Sequence, residues 1–136
     1  MKWATSLIRI SNHQVEMLQK QLASLVELRM TAEMKLVMLE AEAEAENDHA
    51  KQDAEAGFYR LGFLQGWRMR RDKALADIET AKQLEADGRE ALTQAFEELK
   101  KFEHAAELAK VAEAKEMARR ETAAMDEMGL RQSQGR

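Results

Sequence analysis

Apolar residues recur along the first half of the chain at Leu7, Ile10, Met17 with Leu18, Leu22, Leu25, Leu28, Ala32, Leu36, Leu39 and Ala43. The steps are mostly three and four, the signature of one apolar seam on a helix, with Gln14 as a polar interruption. The second half carries a stricter seam: Ala74, Ile78, Ala81, Glu85, Gly88, Leu92, Ala95, Leu99, Phe102, Ala106 and Ala109. Its steps alternate four and three without exception, a heptad repeat over about five heptads. Glu85 and Gly88 are its weak points. A stripe this narrow needs a partner helix, and the nearest is the other half of the same chain.

No proline occurs, so punctuation falls to glycine, and Gly57, Gly62 and Gly66 cluster between the two seams. The pattern predicts an all-α fold of two long helices forming an antiparallel coiled-coil hairpin. Its boundaries are a helix over about 3–56, a turn over about 57–62, a second helix over about 63–128 and a frayed tail over 129–136, in a single domain 1–136. Charge agrees with folding back. Residues 40–56 carry a net charge of −6 and residues 57–73 a net +4. A hairpin sets these stretches side by side, whereas a parallel dimer would stack each on its own copy. The open end of such a hairpin is expected to hold Leu7 beside Met125.

Composition points the same way. Ala, Glu, Leu, Arg and Lys make up 78 of the 136 residues, and aromatic residues only 5%. That bias marks long helices and argues against a sheet. There is no cysteine, which excludes a disulfide scaffold and any Cys-ligated metal, and fits a reducing compartment. The net charge of −4 gives no bulk attraction for nucleic acid. Arg9 interrupts the apolar start before it reaches the length of a signal-peptide core. The longest aliphatic run, residues 36–39, is far short of the roughly 20 that cross a bilayer. No membrane insertion is expected.

Candidate chemistry is sparse. Gly57 and Gly62 have the glycine spacing of a phosphate loop, but Phe63 and Leu64 stand where Lys and Ser or Thr are needed, and no strand precedes them. His49, with Glu46 and Asp53 three before and four after, could form one face of a metal site, yet an acidic solvated helix produces that trio readily. No nucleophile, histidine and acid arrangement can be singled out. The reading is therefore no enzyme, no cofactor and no metal. Nine methionines offer two uses, filling gaps in the seam or forming an adaptable contact surface. Phe58, Tyr59, Phe63 and Trp67 are four of the seven aromatics, either closing the turn or forming a binding patch. Phe63, Trp67, Arg70 and Ala74 recur at steps of four, three and four and so share a helix face.

Over nearly its whole length, most clearly from about Tyr59 to Leu130, the chain resembles the FliJ family of bacterial flagellar type III export. The resemblance rests on Tyr59 with Phe63 and Leu64, on Leu92, Ala95, Leu99, Lys100, Lys101 and Phe102, on the stretch Ala118, Arg119, Arg120 and Glu121, and on Met125, Asp126, Glu127 and Met128. It implies a small cytoplasmic protein that works with the hexameric export ATPase FliI, in the manner of the γ stalk of rotary ATPases. It further implies contact with the cytoplasmic domain of the export gate protein FlhA, escort of export chaperones, and peripheral association with the inner membrane through the export apparatus. The gate contact implied by the family begins at Phe63 and carries over to Trp67, Arg70 and Ala74, of which Arg70 and Ala74 depart from the family in residue type.

The open end is expected to engage the ATPase through Leu7, Arg9 and Ile10 on the first helix and Arg119, Arg120, Met125 and Met128 on the second. Residues 1–39 carry a net +2 and residues 119–136 a net +1, a mildly basic end suited to an acidic collar. Two other readings share the fold: the stalk of a virulence type III secretion system, and a structural coiled-coil adaptor with no ATPase partner.

Overall fold

A computed structural model describes residues 2–135. The protein is all-α, with two long helices packed against each other: α1, Lys2–Gln52, and α2, Ala54–Gln134. Asp53 alone separates them. The expected turn at 57–62 is instead helical, and α2 continues through most of the expected tail. The physical reason is a cap. The Asp53 carboxylate accepts a hydrogen bond from the Glu55 N–H at 3.0 Å, satisfying one of the free donors at the start of α2. The Asp53 N–H in turn donates to the His49 carbonyl at 3.2 Å, continuing the ladder of α1 to its end. His49 and Lys51 lie in the last turn of α1 and Glu55 in the first turn of α2, each suited to its helix dipole.

Every position of the α2 seam from Ala74 to Ala109 is buried or half-buried. Along α1 a run of covered positions goes Ala4, Ile8, Ser11, Val15, Leu18, Leu22, Leu25, Arg29, Ala32, Leu36, Leu39, Ala43, Glu46 and Ala50, with Leu7, Val26, Glu33 and Asn47 half-buried beside it. The run itself alternates four and three throughout. This corrects the start of the α1 seam. Ile10 is 65% exposed, Met17 and Leu28 are also exposed, and small residues, Ala4 and Ser11, take the covered places.

The residues group into two compact units, Met1–Gln14 with Ala95–Arg136, and Val15–Gln94. In the first, Ala4, Ser11, Ala95 and Leu99 are buried. A groove lined by Ala4, Thr5 and Ile8 on α1 and Glu103, Ala106, Glu107 and Lys110 on α2 fixes their antiparallel register. The start of α1 is thus level with α2 at about Lys110. Beyond Lys110, Glu116 is half-buried and every other described residue of α2 is exposed. The seam's heptad, continued, falls on Glu113, Glu116, Arg120, Ala123, Glu127 and Leu130, so charge takes most of the seam positions where the partner helix ends.

In the second unit the chain reverses at Asp53. Val15, Ala74, Ile78 and Ala81 are its buried apolar residues. Gly88 lets Leu22 and Leu25 approach; a Cβ there would come within 2.9 Å of a Leu25 methyl and 3.6 Å of a Leu22 methyl. Gly62 and Gly66 differ, because a Cβ at either would meet nothing within 4 Å, and neither has positive φ. Gly62→Ala and Gly66→Ala should therefore each raise unfolding free energy by about 0.5–1 kcal/mol, read from urea melts. A fall in stability would show that these glycines are needed for the native backbone.

Candidate functional site

At the reversal, Gly57 opens a stretch with large exposed side chains. Phe58 is 80% exposed and Tyr59 and Leu61 are nearly as open. The Phe58 and Tyr59 rings meet edge to face at 5.3 Å, with an interplanar angle of 89°. The rings therefore touch each other without being covered by the hairpin. Phe63 is half-buried one turn on.

Trp67 is half-buried, and its Nε1–H donates to the Leu39 carbonyl at 2.6 Å. That bond spans the two helices and fixes the indole. The Arg71 guanidinium lies 5.7 Å from the indole ring centre, within range of a cation–π contact. Arg70 reaches across to Glu42 with both of its terminal nitrogens, at 3.1–3.2 Å. Ala74 is only 7% exposed and belongs to the seam. The face shared by Phe63, Trp67, Arg70 and Ala74 therefore turns toward α1. Phe63 and the edge of Trp67 remain accessible, while Ala74 is covered. A shallow groove lined by Met38, Leu39 and Glu42 of α1 and Arg70, Lys73 and Ala74 of α2 runs beside them.

The opposed acidic and basic stretches form one described ion pair, Arg70 with Glu42. Of the remaining charges near the reversal, Glu46 is half-buried in the seam, Asp53 caps α2, and the others are exposed. Met30, Met34, Val37 and Met38 are exposed; Met30 and Met34 lie two residues from the seam position Ala32, and Met38 edges the groove beside α2. Of the two uses open to methionine in this chain, filling the seam or forming a contact surface, Met30 and Met34 are placed for the second. Their offset of two residues from Ala32 and Leu36 was the available signal.

A second charged layer lies inside the seam. Glu85 is buried, and its carboxylate accepts from Arg89 at 2.8 Å and from Arg29 across the helices. Arg29 also meets Glu33 at 3.1 Å. The Arg89 and Arg29 guanidiniums hold the Glu85 carboxyl below its ordinary value, and Glu85 with Glu33 raises Arg29. A depressed folded-state pKa contributes stability above the unfolded value and loses it as pH falls through the folded one. Glu85→Gln should thus melt below the native protein at pH 7, and the gap should close on acidification below about pH 4. An unchanged gap at pH 2 would mean the carboxylate charge is not its source.

The residues expected to meet the ATPase do not lie together. Leu7, half-buried, and the exposed Arg9 and Ile10 sit at the start of α1, beside α2 near Ala106. Met125 is nineteen residues further along α2, roughly 28 Å away at the helical rise. Leu7 and Met125 are therefore not neighbours. Arg119 and Arg120 both bond Glu116, at 2.8 and 3.3 Å, and Arg131 bonds Glu127 at 3.0 Å. Arg119, and to a lesser degree Arg120, hold the Glu116 carboxyl below its ordinary value. The basic character of this segment is largely neutralised within its own helix. What it presents outward is Met117, Met125, Met128 and Leu130.

The other sequence candidates take structural roles or none. The Asp53 carboxylate caps α2, so the trio with Glu46 and His49 has one member engaged. Among the described residues no helix is long and apolar enough to cross a membrane, and no group of three or more His, Cys, Asp or Glu is placed to hold a metal.

Compared with known proteins, the chain is 53% identical over 132 residues to the flagellar FliJ proteins of two Caulobacter vibrioides strains, NA1000 / CB15N and ATCC 19089 / CIP 103742 / CB 15. The match covers 97% of this chain and 95% of each relative. The chain belongs to the flagellar FliJ family. No family model matches it, and no solved structure does. As a FliJ-family protein it offers two candidate contact regions: the aromatic reversal with Phe63, and the lone C-terminal part of α2.

Proposed function

We propose that this chain serves flagellar protein export, as a stalk for the export ATPase ring linked to the export gate and as an escort for export chaperones. The observation that carries this reading is the 53% identity to flagellar FliJ proteins across nearly the full length of both chains. It also favours a flagellar role over a virulence secretion system, since both relatives are flagellar. Geometry supports the stalk. The segment of α2 beyond Lys110 is a single helix, about 10–12 Å across, slim enough for the central hole of a hexamer. Its intrahelical pairs at Glu116 and Glu127 support it without a partner. Met117, Met125 and Met128 give it flexible apolar contacts suited to a grip that holds without locking. The gate contact falls on Phe63 and the accessible edge of Trp67, extended by Phe58, Tyr59 and Leu61. The protein acts by binding, at the cytoplasmic face of the inner membrane, with no cofactor and no catalytic step of its own.

A pull-down with the full chain from a lysate of flagellated cells tests the assignment. It should recover the flagellar export ATPase and the cytoplasmic domain of the gate. Recovery of a virulence-system ATPase, or of neither protein, would overturn it.

A further inference from the structure

Beyond Lys110, where charge takes over the seam side of α2, a second stripe runs along the far side of the same helix. Val111, Ala114, Ala118, Glu121, Met125 and Met128 recur at steps of three and four in strict alternation. All six are exposed, Met125 at 71%. The order of sizes along this stripe is self-complementary. Laid against a reversed copy of itself, Val111 meets Met128, Ala114 meets Met125 and Ala118 meets Glu121. Every layer then sets a shorter side chain against a longer one, as close packing of two helices requires. The flanks follow the same order, with Met117 meeting Ala124 and Leu108 meeting Gly129. A parallel copy would instead set each residue on itself, leaving gaps at Ala114 and Ala118 and stacking Glu121 on Glu121.

We propose that in the free chain this stripe is covered by a second copy of itself, packed antiparallel about a twofold axis that passes between Arg119 and Arg120. Four charged residues enter or border the contact. Glu121 lies within it, and the reversed register brings Lys115 of the second copy to about one turn away. Neither Glu121 nor Lys115 has an ion-pair partner among the described residues. The two Glu121 carboxylates fall in adjacent layers, each with a lysine beside it. Lys110 comes level with Arg131 of the second copy, but at the outer ends, where solvent screens them, and Arg131 already bonds Glu127 at 3.0 Å. The same patch is used on both molecules, so the contact closes at two. Its overlap, residues 111–128, is about 27 Å long at the helical rise. That is a small interface, so the pair is transient and reversible. Pairing covers Met117, Met125 and Met128, and a paired chain is thereby withheld from the ATPase ring. This last consequence rests on the stalk reading above; the pairing itself does not.

Sedimentation equilibrium on the full chain, with no ATPase present, tests the pairing. The weight-average mass should rise with concentration from 15.5 kDa toward twice that value and no further. Ala118→Glu sets a carboxylate against Glu121 of the other copy and should weaken pairing about tenfold or more, with an unchanged helical circular dichroism spectrum. Adding Glu121→Lys to that variant restores opposite charges in both central layers and should bring pairing back. Spin labels fix the direction. Ala123→Cys and Leu130→Cys occupy equivalent outer positions, so labels on them have equal lateral separation. In the antiparallel pair, the two copies of the first are offset along the axis by about 10 Å and of the second by about 32 Å, whereas a parallel pair has no offset at either. A constant 15.5 kDa, no rescue by the double variant, or equal label distances would each overturn the proposal. A chain that never self-associates, yet loses ATPase stimulation with Ala118→Glu, would give the stripe to the ring alone and would overturn it too. Pairing in a chain that never stimulates the ATPase would uphold the pairing and sink the stalk reading.

Discussion

Removing residues 117–136 is expected to abolish both stimulation of the export ATPase and swimming motility, while the remaining hairpin unfolds within about 0.5 kcal/mol of the intact chain. The segment is exposed at every described position, so its loss uncovers no core. Its ion pairs are internal: Arg131 with Glu127 goes with it, and Glu116 loses Arg119 and Arg120. The two arginines are satisfied by Glu116, which sets a graded expectation for point changes. Arg119→Glu with Arg120→Glu replaces attraction by like-charge repulsion, at a few tenths of a kcal/mol per pair, and should weaken stimulation without the full loss seen on truncation. Stimulation that survives the truncation, in a chain shown by circular dichroism to be folded, would rule out this end as the stalk.

The second large effect is expected at Phe63. Phe63→Ala should lower affinity for the gate's cytoplasmic domain by about tenfold or more, as loss of an aromatic anchor does. Trp67→Ala should act differently, because the indole bonds the Leu39 carbonyl across the helix pair. Losing a half-buried ring and that bond should lower unfolding free energy by about 1–3 kcal/mol as well as weakening the gate contact. Isothermal titration run well below both melting temperatures separates the two effects. Gate affinity unchanged in Phe63→Ala would remove the aromatic patch from the interface, whatever happens to stability.

These contrasts show where the sequence was readable. The α2 seam could be read residue by residue because strict alternation held even through Glu85 and Gly88, where a search for large apolar residues would have failed. In α1 the same rule, counted back from Leu18, leads to Val15, Ser11, Ile8 and Ala4. Ile10 and Met17 draw attention by size instead and are exposed, whereas Ala4 and Ser11 take the buried places at close approach. The reversal was sought at glycines, whereas Asp53 makes it with a carboxylate cap, a signal present in its position two residues before Glu55. Arg29 illustrates what periodicity alone conceals. A charge at a seam position reads as an interruption until its partner across the helices, Glu85, is known. Ala74 shows the converse: sharing a face with Phe63 does not make a residue accessible when that face turns inward.

The single residue between α1 and α2 also bears on how twist is transmitted. A loop of several residues would let either helix rotate about its own axis without disturbing the other. Asp53 leaves no such slack, since its backbone N–H still closes the last turn of α1 while its side chain opens the first turn of α2. The azimuth of one helix near the reversal therefore sets that of the other. Adding one alanine beside Asp53 would advance α2 by about 100° relative to α1 and swing Trp67 off the Leu39 carbonyl. Near the reversal the Trp67 bond to the Leu39 carbonyl and the Arg70 pair with Glu42 hold the two azimuths together.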